Sequence, residues 1–269
     1  MPISAERAER VMAFSVLGPL EVTSGGGPVP LTSRREQRIL AALLLAAGRV
    51  VTVDLIVDCL WPTQPPRTVS SQVRNCVASL RRTLVGAGLA AEAMTRGPAG
   101  YQLRIAPSQL DRDRFEELVA RGRSEVAMGR SAEAVALLRQ ADALWRGPAL
   151  AGLCDGVLAA EVLRLEELRL QAIEDRMEAE LTIGRHERVL PELTALAWDH
   201  PGRDRLQGGL MLALYRAGRV GDALTSYDRL RRAMTTELGL EPSRRLRDLR
   251  QAILVEDEWL LSGSASTRY

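Results

Sequence analysis

The segment TVSSQVRNCVASLRRTL, residues 68–84, has two unlike sides. Val69, Val73, Val77, Leu80 and Leu84 recur every three or four residues, which lays them along one stripe of an α-helix, and Cys76 widens the stripe. The opposite side carries Ser71, Arg74, Asn75, Ala78, Arg81 and Arg82. An arginine reaches both major-groove acceptors of guanine and an asparagine pairs with adenine. Ser71 and Ala78 are small enough to let another surface approach the backbone. No acid occurs between Arg67 and Leu84, whereas a solvated helix of that length ordinarily mixes signs. Taken alone, the segment is equally readable as an Arg-rich surface helix or as a helix built for a groove of DNA.

The flanking sequence shifts that balance. Residues 14–22, FSVLGPLEV, and 28–31, PVPL, read as short strands joined by the turn SGGG at 24–27. SRREQRILAALLLAAG, residues 33–48, opens a helix: Ser33 with Glu36 three residues on is a capping box, and Gly48 stands where a helix stops. VVT follows as a strand, then VDLIVDCLW as a two-turn helix stopped by Pro62. After the quoted helix, AMTRGPAGYQLRI at 93–105 reads as a hairpin with glycines at its bend. Three helices and a terminal hairpin form a winged helix-turn-helix, with the quoted segment as recognition helix and the hairpin as wing. Arg96 before the bend, with Tyr101 and Arg104 after it, suits phosphate or minor-groove contact. Arg34 and Arg35 open the first helix, where contacts to the DNA backbone are expected of them.

From about residue 111 strand signals vanish. Gly-Arg recurs at Gly129-Arg130, Gly184-Arg185 and Gly218-Arg219, the last two 34 residues apart, which is the tetratricopeptide period. Counting from each Gly, the fifth position holds Ala134, Val189 and Ala223, the ninth Leu138, Leu193 and Tyr227, and the twelfth Ala141, Leu196 and Leu230. These offsets share one helical face just after a tight turn. The first gap, 55 residues, is interrupted around WRGPALAGL. Such units bury their faces only by stacking on neighbours. The expected fold is therefore mainly α: an N-terminal extension (1–13), an α+β winged helix-turn-helix domain (14–106), an all-α tetratricopeptide-like domain (111–257) and a frayed tail (258–269).

Charge follows the same division. Residues 1–110 hold 12 Arg against 7 acids and the remainder 24 against 27, so the basic excess sits with the winged helix, and no lysine occurs anywhere. Aromatic residues are 4%, too few for a single-strand stacking platform. Cys59, Cys76 and Cys154 are odd in number, without a CxxC. The N-terminus lacks a signal-peptide core, and the longest apolar run, ILAALLLAA, is too short for a bilayer. A reduced, cytoplasmic chain with no membrane partner is expected. Enzyme chemistry finds little support. A GxxxxGK loop needs a lysine, no GxSxG occurs, and His186 and His200 have no metal-spaced partner, so neither cofactor nor metal is expected. His186 reads as a solvated surface residue. Glu166-Glu167 and Glu178-Glu180 read as members of i, i+4 pairs with Arg on charged helix faces.

At the level of whole strings the chain resembles the Streptomyces antibiotic regulatory protein family. LTSRREQRILAALLLAAGRVVTVDLIVDCLWP, SLRRTL and GPAGYQL look like its DNA-binding part. LDRDRFEEL, ALWRGPAL, LMLALYRAGRVGDALTSYDRLRR and ELGLEPSRRLRDLRQAIL resemble its bacterial transcriptional activation domain. The resemblance implies an OmpR-type winged helix that binds double-stranded DNA at tandem direct repeats, two protomers side by side, and recruits RNA polymerase through its sigma and other subunits to activate a biosynthetic gene cluster. It places Arg74 and Asn75 over base edges, Arg81 and Arg82 as paired phosphate clamps, and Gly100-Tyr101 in the wing. With Arg34, Arg35, Arg67, Ser71 and Arg96, these are the candidate DNA contacts. Cys76 and Ser79 depart from the family pattern, which often has Tyr or His and Arg there. Promoter-occluding repression, or a repeat module that binds proteins while the N-terminal part serves as scaffold, are the alternatives.

Overall fold

The computed structural model describes residues 12–261 apart from Pro62. All but the end of the expected N-terminal extension, and the tail beyond Leu261, lie outside the described residues. The chain divides into two compact units. One runs to Glu117 and includes Ala141–Arg169; the other comprises Leu118–Gln140 and the chain from Leu170 onward.

In the first unit, β1 (Met12–Ser15), β2 (Glu21–Ser24) and β3 (Gly27–Pro28) form an antiparallel sheet in that order. The single strand expected over 14–22 is broken by a turn at Gly18-Pro19. Val16 and Leu17 are fully buried but leave the sheet. Their carbonyls accept from Leu150 N–H at 2.9 Å and Arg146 N–H at 2.8 Å. Their own amides donate to the Asp111 carboxylate at 2.8 and 3.1 Å. Burial raises the Asp111 pKa, and these amide bonds pull it back. The second strand is also shorter than expected, because Pro28 and Pro30 have no N–H to give a ladder. The Gly-rich turn stands as read, with φ +58° at Gly25 and +83° at Gly26.

Three helices follow: α1 (Arg34–Leu45), α2 (Val53–Leu60) and α3 (Val69–Gly86). Ser33 caps α1 by accepting the Glu36 N–H at 3.4 Å, and Thr52 caps α2 through the Leu55 N–H at 3.2 Å. β4 (Val51–Thr52), β5 (Met94–Arg96) and β6 (Gly100–Leu103) build a second sheet in the order β4-β6-β5. This is the winged helix-turn-helix. Its core takes Ile39, Leu40, Leu43, Leu44, Ile56, Leu80, Leu84, Met94 and Leu103, all buried.

The segment from Ala141 is tied to the rest of this unit by arginine side chains and an aromatic contact. Buried Arg38 on α1 donates to the Cys59 carbonyl at 2.6 Å and pairs with Asp155. Arg34 donates to the Gly152 carbonyl at 2.7 Å. Trp145 meets Phe115 edge-on at 5.5 Å between ring centroids, and the Arg169 guanidinium lies 4.6 Å from the Trp145 ring centre.

The helices after the wing are α4 (Asp111–Ala127), α5 (Ser131–Asp142), α6 (Ala159–Thr182), α7 (His186–Asp199), α8 (Asp204–Arg216), α9 (Val220–Leu238) and α10 (Arg244–Leu254). The second unit takes α4 from Leu118, α5 to Gln140, α6 from Leu170 and all of α7 to α10. The three Gly-Arg turns join α4 to α5, α6 to α7 and α8 to α9. Each is built alike: Gly129, Gly184 and Gly218 have φ of +75°, +77° and +73°. In each, the arginine N–H then donates 2.9 Å to the carbonyl five residues back, Glu125, Glu180 or Leu214. A left-handed residue that closes a helix end is cheapest as glycine. The fifth and ninth positions of all three repeats are buried; at the twelfth, Ala141 and Leu230 are buried and Leu196 is half-buried. α8 is buried all round from Leu206 to Leu214, as a helix at the centre of a stack must be. Glu258–Leu261 forms a 3₁₀ turn whose Leu260 is buried and whose Leu260 carbonyl accepts from Arg216, so the start of the expected tail is held.

Two surface expectations change here. Glu180 has no exposed surface; it pairs with Arg139 from α5 and with Arg185 beyond the helix end. Glu178 pairs with Arg205, and Glu166 accepts the Ala149 N–H at 2.7 Å. These carboxylates cross-link separate elements rather than make i, i+4 pairs, a distinction that local spacing does not carry. His186 opens α7 half-buried, and its Nδ1 is enclosed without a partner, so it is only partly solvated.

Candidate nucleic-acid interface

α3 divides as its sequence dictates. Val73, Val77, Leu80 and Leu84 are buried against the unit's core and Val69 is half-buried, while Ser71, Arg74, Asn75, Ala78, Arg81 and Arg82 are exposed. Ser71, Arg74, Asn75, Ala78 and Arg82 fall on one face, spaced three, one, three and four. That face spans about 16 Å at about 1.5 Å per residue. Cys76 is half-buried on the inner side; burial pushes its thiol pKa up, with Arg35 opposing.

The candidate contacts differ in how they are held. Ser71 Oγ donates to the Thr68 carbonyl at 2.8 Å, and Arg74 Nε donates to the Ser70 carbonyl at 3.3 Å. Arg81 reaches the Ala91 carbonyl at 2.7 Å, bracing the chain that leads into the wing. Arg67, Asn75 and Arg82 are exposed. At the head of α1, Arg34 is tied to Gly152. Arg35 lies 5.1 Å from the Trp61 ring centre and donates to Gln72 Oε1 at 3.2 Å.

The wing is held by backbone. Gly97 N–H donates to the Gly100 carbonyl at 2.9 Å and closes the bend, while β6 pairs with β4 through Val51 opposite Tyr101 and Thr52 opposite Gly100. Gly100 serves this close approach rather than the bend: a Cβ there would sit 2.8 Å from the Val51 carbonyl carbon and 2.9 Å from Thr52 Cα. Tyr101 is 5% exposed, so its ring belongs to the wing's packing, with exposed Arg96 6.0 Å above it. Arg104 is exposed at the wing's base.

The structure thus brings Ser71, Arg74, Asn75 and Arg82 together on one face, sets Arg96 on the wing and encloses Tyr101. Sequence reasoning missed Trp61 and Gln72 beside Arg35, and Arg38 with Asp155. Only tertiary contacts mark these.

A family model described as the transcriptional regulatory protein C terminal matches residues 26–103, the winged helix. A second, the bacterial transcriptional activator domain, matches residues 110–254. The regulatory protein DnrI of Streptomyces peucetius is 39% identical over 256 residues, covering 91% of this chain and 93% of its own. The chain belongs to the Streptomyces antibiotic regulatory protein family. AfsR of Streptomyces coelicolor is 37% identical across 97% of the chain, which spans 26% of AfsR. A solved structure of EmbR from Mycobacterium tuberculosis in complex with a low affinity phosphopeptide matches with a TM-score of 0.92 at 33% identity, over 97% of this chain and 69% of that one. Members of this family are DNA-binding transcriptional regulators, and this one pairs its winged helix with an activator domain. Among the described residues no helix is long and apolar enough to cross a membrane, and no group of three or more His, Cys, Asp or Glu is placed to hold a metal ion.

Proposed function

We propose that α3 enters the major groove, with Arg74 and Asn75 on base edges, and Arg67, Arg81 and Arg82 on phosphates. Ser71 and Ala78 permit the close approach, and Arg96 reaches the backbone or minor groove beside the wing. The observation that supports this most directly is the exposed, acid-free face of α3, set on a helix whose other side is locked into the core. In this reading residues 14–106 read DNA and 111–257 act on the transcription machinery. Two protomers bind tandem direct repeats and recruit RNA polymerase, sigma included, to a secondary-metabolite promoter.

The test is a footprint of the full chain on the intergenic regions flanking its own gene, at two salt concentrations. Two like-oriented protected repeats on one face of the duplex are the expected result. Arg74→Ala should cost about 1–3 kcal/mol and relax sequence preference, whereas Arg82→Ala should weaken all duplexes alike and flatten the salt dependence by about one phosphate contact. Run-off transcription with purified polymerase must then yield more transcript; a fall instead would make the protein a repressor. No protection at low salt by the folded chain would leave the Arg-rich face as a solvated surface.

A further inference from the structure

Arg35 stands exposed at the head of α1, where a phosphate contact would be natural, yet its side chain is already engaged by neighbours on the protein surface. Its guanidinium covers the Trp61 ring at 5.1 Å, and its Nη1 donates to Gln72 Oε1 at 3.2 Å. Gln72 is half-buried on the first turns of α3, and its Nε2 donates onward to Thr68 Oγ1 at 3.0 Å. Thr68 is the N-cap of α3, and its hydroxyl receives this bond instead of capping a backbone N–H. Its carbonyl takes the Ser71 hydroxyl at 2.8 Å and the Gln72 N–H at 3.1 Å. A continuous strut therefore runs from the end of α2, through the head of α1, to the first turn of α3. Ser71 precedes Gln72 by one residue, and Arg74 and Asn75 follow it by two and three, on the open side.

We propose that Trp61, Arg35 and Gln72 are positioning residues for sequence reading: they fix the pitch of the recognition helix's first two turns and do not themselves contact DNA. The proposal rests on the DNA-reading function above and reassigns Arg35 from clamp to strut. The chemistry explains the residue types. A rigid planar guanidinium can lie over an indole and direct a hydrogen bond sideways at a fixed angle, whereas the flexible point charge of an ammonium fixes neither direction. A bidentate base contact loses its worth with small angular errors, so loosening the strut should cost discrimination first. Phosphate attraction depends on charge near the backbone, so it should be little changed.

The experiment compares full-length Arg35→Ala, Arg35→Lys, Trp61→Leu and Gln72→Ala with wild type and with Arg82→Ala. Three quantities are measured: the ratio of affinities for the footprinted site and a scrambled duplex, the slope of log affinity against log salt, and amide hydrogen exchange over residues 68–74 without DNA. Each of the four strut variants should lower the affinity ratio about tenfold, the order of one lost base contact, leave the slope unchanged and speed exchange in the first turns of α3. Arg35→Lys is decisive, because it keeps the charge and the fold. If Arg35→Ala lowers the slope by about 0.9 and Lys restores it, Arg35 is a phosphate clamp and the proposal is wrong. Unchanged exchange in Arg35→Ala, or undiminished discrimination in both Trp61→Leu and Arg35→Lys, refutes the strut while leaving the DNA-reading function intact. A folded wild type that binds no duplex refutes that function, and the strut's part in it, whatever the exchange shows.

Discussion

Gly100→Ala isolates the contact that carries the wing. The added methyl would lie 2.8 Å from the Val51 carbonyl carbon and 2.9 Å from Thr52 Cα, and closer still to the Val51 oxygen. Carbon atoms rest at about 3.5–4.0 Å, so the two backbones must part by about 1 Å. The ladder between β4 and β6 is only two residue pairs long, Val51 with Tyr101 and Thr52 with Gly100, so a displacement of that size disrupts all of it. Overpacking of this kind costs about 1–3 kcal/mol, and each lost hydrogen bond about 1 kcal/mol, which together give about 3 kcal/mol. In a domain of this size that lowers the melting temperature by about 10 °C. Thermal melts by circular dichroism, with hydrogen exchange at the Val51 and Tyr101 amides, measure both effects. Gly97→Ala is the matched control in the same hairpin, since its methyl would meet nothing within 4 Å. A Gly100→Ala protein melting within about 2 °C of Gly97→Ala would show that the wing does not depend on this approach.

Other substitutions probe the repeats and the thiols. Glu180→Ala removes a fully buried carboxylate from between Arg139 and Arg185. It should cost about 2–3 kcal/mol in urea denaturation, below the loss for a fully enclosed pair because both arginines reach water; a change under about 0.5 kcal/mol would contradict the cross-link. Gly209→Ala in the middle of α8 would make only ordinary contact, 3.4 Å from Leu193 Cδ2, and should gain about 0.5–1 kcal/mol from helix propensity, read as a raised melting temperature. Gly218→Ala, with φ +73° and open space around it, should instead lose about 1 kcal/mol through backbone strain alone. Burial raises the Cys59 thiol to about 11, so at pH 8 about one molecule in a thousand carries the thiolate there, and that fraction grows as pH rises. Disulfide-exchange labelling of the native chain at pH 8 should modify exposed Cys154 first and spare Cys59 until denaturant is added; early labelling of Cys59 would refute its enclosure.

What the sequence disclosed and what it withheld follow from the range of the interactions. Ser33, the Gly-Arg turns and the two faces of α3 were legible because each is settled within a few residues, by a cap, a left-handed φ or a helical period. The break at Gly18-Pro19 was hidden because Val16 and Leu17 keep the apolar run going. They are buried, but against residues 146–150, far along the chain, and not in the sheet. The same distance concealed Asp155 beneath Arg38 and Glu180 between two arginines. At the interface the limit is sharper. Sequence separates the arginines of α3 from its valines, but it ranks Arg34, Arg35 and Arg82 alike as basic residues near DNA. Only the folded chain distinguishes them, since Arg34 is tied to a carbonyl on the 146–155 segment and Arg35 is stacked and bonded. Arginine's planar fork lets one residue type serve as base reader, phosphate clamp or internal strut. Composition therefore points to a basic surface and does not assign roles within it, and salt slopes measured residue by residue are the means of sorting them.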